Sequence, residues 1–279
     1  MTTSREHTVT TSRWSLARQW RACAAAFTFL TRIPTSWFGA HDAGDLADAT
    51  FYFPLVGFVV AAIGATAYWI GTRLWPVPVA VVLSVVAMVW VTGAFHEDAL
   101  ADSLDGFGGG WDPQQILIIM KDSRVGSYAL VGMVLVMLVK VTTLIGIAEG
   151  SVVSVWPVIR ALVAGHVLGR WSSVVLMSRY TYVRADDPTA RISAGRTLMH
   201  AVTRTHVAVA TGLTCVLLVA FGGVRTIPAW LVAIVVTWGA GRYFQRRLGG
   251  ITGDALGAAN QMVEVCVYLT LATHLVSQW

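Results

Sequence analysis

Apolar residues run along this chain in long blocks separated by short polar stretches, and seven blocks are long enough to cross a bilayer as helices. They are Phe51–Thr72, Val79–Phe95, Val125–Ala148, Val152–Met177, His206–Gly222, Pro228–Phe244 and Leu256–Val276. Ahead of them, Trp14 to Leu30 predicts a helix lying in the membrane interface, with Arg18 and Arg21 near the headgroups. Its apolar core, Ala22 to Leu30, is short and runs into Thr31-Arg32-Ile33-Pro34, which is unlike a signal peptide. Neither a repeat nor a linker divides the chain. The pattern predicts one all-α, polytopic integral membrane domain over 1–279. Residues 1–50 read as a cytoplasmic N-terminal segment and 51–279 as a transmembrane bundle.

Composition agrees. Of 279 residues, 56% are hydrophobic and only 13% charged, against about 25% charged in soluble domains; the mean hydropathy is +0.64. The formal charge of +5 does not point to nucleic acid, because the basic residues flank apolar spans and report membrane orientation. With seven spans, one face carries the N-terminus and the 96–124, 178–205 and 245–255 loops. Fourteen Lys and Arg fall there, against Arg73 and Arg225 on the other face. The first face is therefore read as cytoplasmic and the membrane as the cell's inner membrane. Cys23, Cys215 and Cys266 lie far apart in or near apolar segments and read as small buried hydrophobes.

The polar motifs all fall on that cytoplasmic side. In His96-Glu97-Asp98-Ala99-Leu100-Ala101-Asp102-Ser103-Leu104-Asp105-Gly106, the spacings of four and three place Asp98, Asp102 and Asp105 on one helical face. Like charges so placed repel, by a few tenths of a kcal/mol for each neighbouring pair, and a hard divalent cation is the usual remedy. A solvated, acid-capped helix end is the plainer reading. The run Gly106-Phe107-Gly108-Gly109-Gly110 predicts a turn that brings backbone N–H groups close to phosphate. Lys121, Ser123, Arg124 and Ser127 then precede a span, as phosphate ligands or as an ordinary positive flank. Lys140, Arg160, His166 and Arg170 fall within spans. Each Lys or Arg at a span centre costs about 2.5–3.5 kcal/mol to insert. They read as a structural network, pairing with Glu149 or Glu264, or as substrate ligands, Arg170 foremost. Finally Asp254, Gln261 and Glu264 open the last span on one face as a second acidic arm; a helix cap accounts for Asp254 equally well.

These segments resemble the cobalamin (5′-phosphate) synthase family, the adenosylcobinamide-GDP ribazoletransferases. The resemblance rests on Phe29-Leu30-Thr31-Arg32-Ile33-Pro34, Phe53-Pro54-Leu55-Val56-Gly57, the acidic motif, Lys121-Asp122-Ser123-Arg124-Val125-Gly126-Ser127-Tyr128 and Gly250-Ile251-Thr252-Gly253-Asp254. The family pattern has Gly where this chain has Ala99, and a Thr-Ala-like pair where Ser103-Leu104 stand; neither departure touches a carboxylate. The resemblance implies an Mg²⁺-dependent transferase acting late in vitamin B12 biosynthesis. It would join adenosylcobinamide-GDP to α-ribazole or its 5′-phosphate and release GMP.

On that reading Glu97, Asp98, Asp102 and Asp105 hold Mg²⁺ on the diphosphate, and one of them, or His96, takes the proton from the attacking hydroxyl. Lys121, Ser123, Arg124, Ser127 and Arg170 hold phosphate oxygens, and the substrates and the lipid bilayer are the partners. A homo-oligomer is left open. A CDP-alcohol phosphotransferase is the nearest rival, but Asp105-Gly106 runs into Phe107-Gly108-Gly109 instead of that family's Ala-Arg pattern. A cation transporter fits less well, since the acids cluster at one membrane edge.

Overall fold

The computed structural model describes residues 14–35, 43–150, 154–183, 201–223 and 226–273, and these fold almost entirely as helices. In chain order they are α1 (Leu16–Leu30), α2 (Ala43–Asp48), a 3-10 turn (Ala49–Tyr52), α3 (Phe53–Leu74), α4 (Val77–Thr92), α5 (Phe95–Gly109), α6 (Pro113–Ile119), α7 (Ser127–Glu149) and α8 (Trp156–Arg179). There follow α9 (Arg204–Leu217), which ends in a π turn (Leu218–Gly222), α10 (Ile227–Leu248) and α11 (Gly253–Leu271). Proline stands in the first turn of α3, α4, α6, α8 and α10. Its missing N–H costs nothing there, and its fixed φ starts the helix. Asp112 and Thr252 accept backbone N–H bonds at the starts of α6 and α11.

Each of the seven predicted spans falls on a helix. Among the described residues, five segments qualify as membrane spans by length and composition: Asp45–Leu74, Ser127–Glu149, Trp156–Arg179, Arg204–Gly222 and Ile227–Leu248. The pair α4–α5 makes a sixth if counted as one broken span, bent by 89°. The bend is made by Gly93 and Ala94, both left-handed at φ 68° and 59°. That conformation is easy for glycine and costly for alanine. It turns the acid-bearing α5 across the end of α4, so α5 is not a continuation of the span. Helix α11 does not qualify either, because its 19 residues include Asp254, Asn260, Gln261 and Glu264. It lies in the core, packed against α5, α7, α8 and α10. Parts of the predicted pattern lie outside the described residues: the ends of the fourth and last spans at Val152 and Val276, and Arg5, Arg13, Arg184, Arg191, Arg196 and Arg225.

Helix α1 forms as expected, and both of its arginines make ion pairs within the protein. Arg18 pairs with Asp48 at 3.0 Å and Arg21 with Asp45 at 2.9 Å, both carboxylates being almost fully buried. Burying those acids requires a partner, and α1 supplies it.

The motif-bearing segments gather at one end of the bundle. The Arg32 amide donates to Val91 O at 2.8 Å, tying the end of α1 to the end of α4. Tyr182 and Ile251 form a parallel bridge, in which the Val183 amide donates to Ile251 O and the Ile251 amide to Thr181 O, both at 2.9 Å, and Arg247 Nη2 donates to Gly110 O at 2.9 Å. Where α5 crosses α11, a Cβ added at Gly257 would collide with the Cβ of Ala99. That approach fixes the separation of the two acid-bearing helices. Gly257→Ala should cost about 1–3 kcal/mol through overpacking, read as a lowered unfolding temperature in detergent; an unchanged temperature would show that the seam is slack.

Candidate active site

Helix α5 distributes its acids as the spacing requires. Asp98 is exposed and Asp102 and Asp105 are half-buried, while Glu97 and His96 turn to other sides. Asp105 closes the start of α7: its oxygens accept the Gly126 amide at 2.6 Å and the Ala129 amide at 2.8 Å. The positive end of a helix dipole thus offsets its charge. Asp102 lacks such relief. Burial, then the negative charges of Asp254, Asp98 and Asp105, raise its pKa from 3.8 to about 6. Asp254, at the start of α11, is therefore near the row as the expected second arm.

Gln261 and Glu264 do not join it. Glu264 is completely buried and meets Lys140 Nζ at 3.0 Å, His166 Nε2 at 3.5 Å and Arg170 Nη1 at 4.0 Å. Tyr268 donates its hydroxyl to Glu264 at 3.0 Å. A carboxylate in so dry a place must sit among positive charges, and α7 and α8 provide them. Gln261 accepts from Lys140 Nζ at 2.7 Å and donates to Glu97 Oε1 at 2.9 Å. The second acidic arm is thus Asp254 alone; Glu264 belongs to the core.

Glu97, through Gln261, leans toward this network and away from the aspartate row. Arg170 is likewise turned inward, its Nη1 on His166 Nδ1 at 2.6 Å, so it does not extend toward the 121–127 loop. His166 Nε2 in turn lies 2.8 Å from the Met88 sulfur. The buried set resolves the pairing of the intramembrane charges in favour of Glu264.

The basic loop is exposed. Arg124 is clamped by its own neighbour, Nε to Asp122 Oδ1 at 2.9 Å and Nη2 to Asp122 Oδ2 at 2.5 Å. Those bonds hold the Asp122 carboxyl down to about 2. Lys121, Ser123 and Ser127 are exposed on the same loop. Asp122 was not singled out in the sequence, although an acid two residues before an arginine is a visible pairing signal. The glycine run departs from expectation. It stays helical to Gly109, so its amides serve the helix ladder. A Cβ at Gly106 would meet Met120, at Gly108 Tyr128 and at Gly110 Ile116, so these glycines admit α6 and α7. Beside Ser127 opens an apolar cavity of about 920 Å³, lined among others by Leu104, Phe107, Tyr128, Tyr243 and Met262.

Among the described residues no three His, Cys, Asp or Glu groups stand close enough together to hold a metal ion. Mg²⁺ does not require that: it keeps several waters and is bound through one or two carboxylates together with substrate phosphates. The carboxylates of Asp98 and Asp254 around Asp102 are hard oxygen donors of the kind such an ion takes. A carboxyl whose pKa is raised on folding binds its proton more tightly in the folded state. Its stabilising contribution is therefore present below pH 3.8 and is lost as pH rises toward about 6. In the absence of divalent cations, Asp102→Asn should unfold at a higher temperature than the parent above pH 6, the gap closing toward pH 4. A gap independent of pH would refute the electrostatic reading of the row.

Comparison with known proteins follows the same residues. The sequence profile of the family described as Cobalamin-5-phosphate synthase matches residues 22–272. A Shewanella frigidimarina protein named adenosylcobinamide-GDP ribazoletransferase is 40% identical over 258 residues, 91% of this chain and 95% of the relative. Proteins of the same name from Shewanella amazonensis and Ralstonia nicotianae are 39% and 38% identical, over 88% and 90% of this chain and 92% and 94% of theirs. No solved structure matches. The match spans both acid-bearing helices and the loop between them, and the chain belongs to the cobalamin-5-phosphate synthase family.

Proposed function

We propose that this protein is the adenosylcobinamide-GDP ribazoletransferase of a vitamin B12 pathway, acting with Mg²⁺ at the cytoplasmic end of a multi-pass bundle in the inner membrane. The observation that carries the reading is the meeting of Asp98, Asp102, Asp105 and Asp254 at one end of the bundle, next to an exposed basic loop. The basic residues Arg32, Lys121, Arg124, Arg246 and Arg247 lie at that end and Arg73 at the other, which supports the orientation.

In this reading a ribose hydroxyl of α-ribazole, or of its 5′-phosphate, attacks the corrin-side phosphorus of adenosylcobinamide-GDP. The new P–O bond forms as the bond to GMP breaks, and adenosylcobalamin or its 5′-phosphate results. Asp98, Asp102 and Asp254 would hold the cation, which supplies charge to offset that on the transferring phosphoryl group and the leaving GMP. Asp105 fixes the start of α7 and so positions Ser127 at the mouth of the apolar cavity. Lys121, Ser123 and the Asp122-clamped Arg124 present donors to phosphate oxygens. A carboxylate of the row receives the hydroxyl proton; His96, buried on another side of α5, is not placed to do so. The apolar, aromatic cavity suits a bulky ring system such as the corrin.

Purified protein in detergent or liposomes should release GMP from adenosylcobinamide-GDP only when α-ribazole phosphate and Mg²⁺ are both present. Asp102→Asn should lower kcat by about a hundredfold, the scale of losing a preorganised charge at the transition state. Release without the acceptor, or near-parent turnover in the variant, would overturn the assignment.

A further inference from the structure

Four polar side chains converge on a second cavity, of about 90 Å³, between α5, α8 and α11. They are His96, Arg170, Ser173 and Asn260, all at least nine-tenths buried. Both ring nitrogens of His96, both amide atoms of Asn260 and the Nε of Arg170 lack hydrogen-bond partners. Buried donors and acceptors are costly to leave unmet, so the cavity is suited to a polar guest. The remaining wall is aromatic and aliphatic, with Phe29, Phe53 and Phe95 on one side. Phe29 stacks on Phe53 with centroids 6.0 Å apart and meets Phe95 edge-on at 5.5 Å. Hydrogen-bonding edges beside an aromatic wall suit a flat heterocycle.

Charge and size narrow the guest. The two carboxylates of the core network, Glu264 and Glu97, match the two cations Arg170 and Lys140, so the cavity does not call for a phosphate. By this measure of volume one water occupies roughly 10–15 Å³. The space is that of a single base and far below that of a macrocycle. It opens beside the start of α11, where Gly253, the neighbour of Asp254, lines it.

We propose, resting on the transferase reading above, that this cavity receives the guanine base of the substrate's nucleotide half. Arg170 Nε is a donor only, and the O6 of guanine accepts where adenine presents an amino group. Asn260 and His96 each offer both a donor and an acceptor to the rest of the purine edge. The benzimidazole of α-ribazole, with a single ring acceptor, would leave most of these atoms unmet.

The test is equilibrium binding of GMP, IMP and AMP to the full chain in detergent, with parent turnover of adenosylcobinamide-GDP measured separately. GMP and IMP, which share O6, should each bind at least about tenfold more tightly than AMP. Asn260→Leu should bring GMP down to the level of AMP, and the milder Ser173→Ala should weaken GMP about threefold while the protein elutes and unfolds as the parent does. Equal binding of the three nucleotides by a turning-over parent would overturn this proposal and leave the transferase intact. So would variants that weaken α-ribazole phosphate instead of GMP. A parent that never turns over would defeat the transferase reading; its nucleotide preference would still decide whether the cavity selects guanine.

Discussion

Glu264 sits in the driest part of the bundle, and its charge has to be answered there. Lys140 from α7 and His166 and Arg170 from α8 converge on it from two directions, so α11 is held by charge as well as by packing. Removing one member of such a set leaves an uncompensated buried charge, at a cost of about 3–5 kcal/mol. The cluster also reaches outward, because Lys140 holds Gln261 and Gln261 holds Glu97 on α5. One chain of polar contacts thus registers the acid-bearing helix against the core. The close approach of Ala99 to Gly257 sets the same seam by shape.

The carboxylates of the chain are divided between two situations. Those in the core, Glu264 and the inward-leaning Glu97, belong to a network with two cations. Asp105 is neutralised in part by the amides that open α7. Asp102 is not capped in this way, and its raised pKa registers its burial first and then the negative charges of Asp254, Asp98 and Asp105. On the proposed function, such a site would suit a cation that arrives with a diphosphate. The geometry is consistent with an ion shared between protein and substrate, as opposed to one caged by protein alone.

Much of this was legible in the sequence, and the remainder shows what periodicity omits. Helical spacing put Asp98, Asp102 and Asp105 on one face, and the apolar blocks gave every long helix. Periodicity names a face but not the neighbour across it. Glu264 was therefore grouped with Asp254, ten residues earlier on the same helix, although its partners come from α7 and α8. The same gap hid the partners of Arg18 and Arg21, Asp48 and Asp45, which lie 30 and 24 residues away in sequence. Asp105 as the cap of α7 depends on a contact between residues 21 to 24 apart, which no local window contains. The glycines after Asp105 looked like a phosphate loop and proved to be clearances for Met120, Tyr128 and Ile116. His96 and Asn260 carried no pattern that joins them; only the packing of α5 on α11 does.

The central claim is that the rim carboxylates await a divalent cation while the core carboxylate does not. Titrating the full chain with Mn²⁺ as a spin probe for Mg²⁺, in the presence of GMP, tests it most directly. The account predicts saturable binding that is abolished by Asp98→Asn with Asp102→Asn and retained in a folded Glu264→Gln, Lys140→Met double variant. Binding that survives loss of both aspartates, or that disappears with the core pair instead, would contradict it.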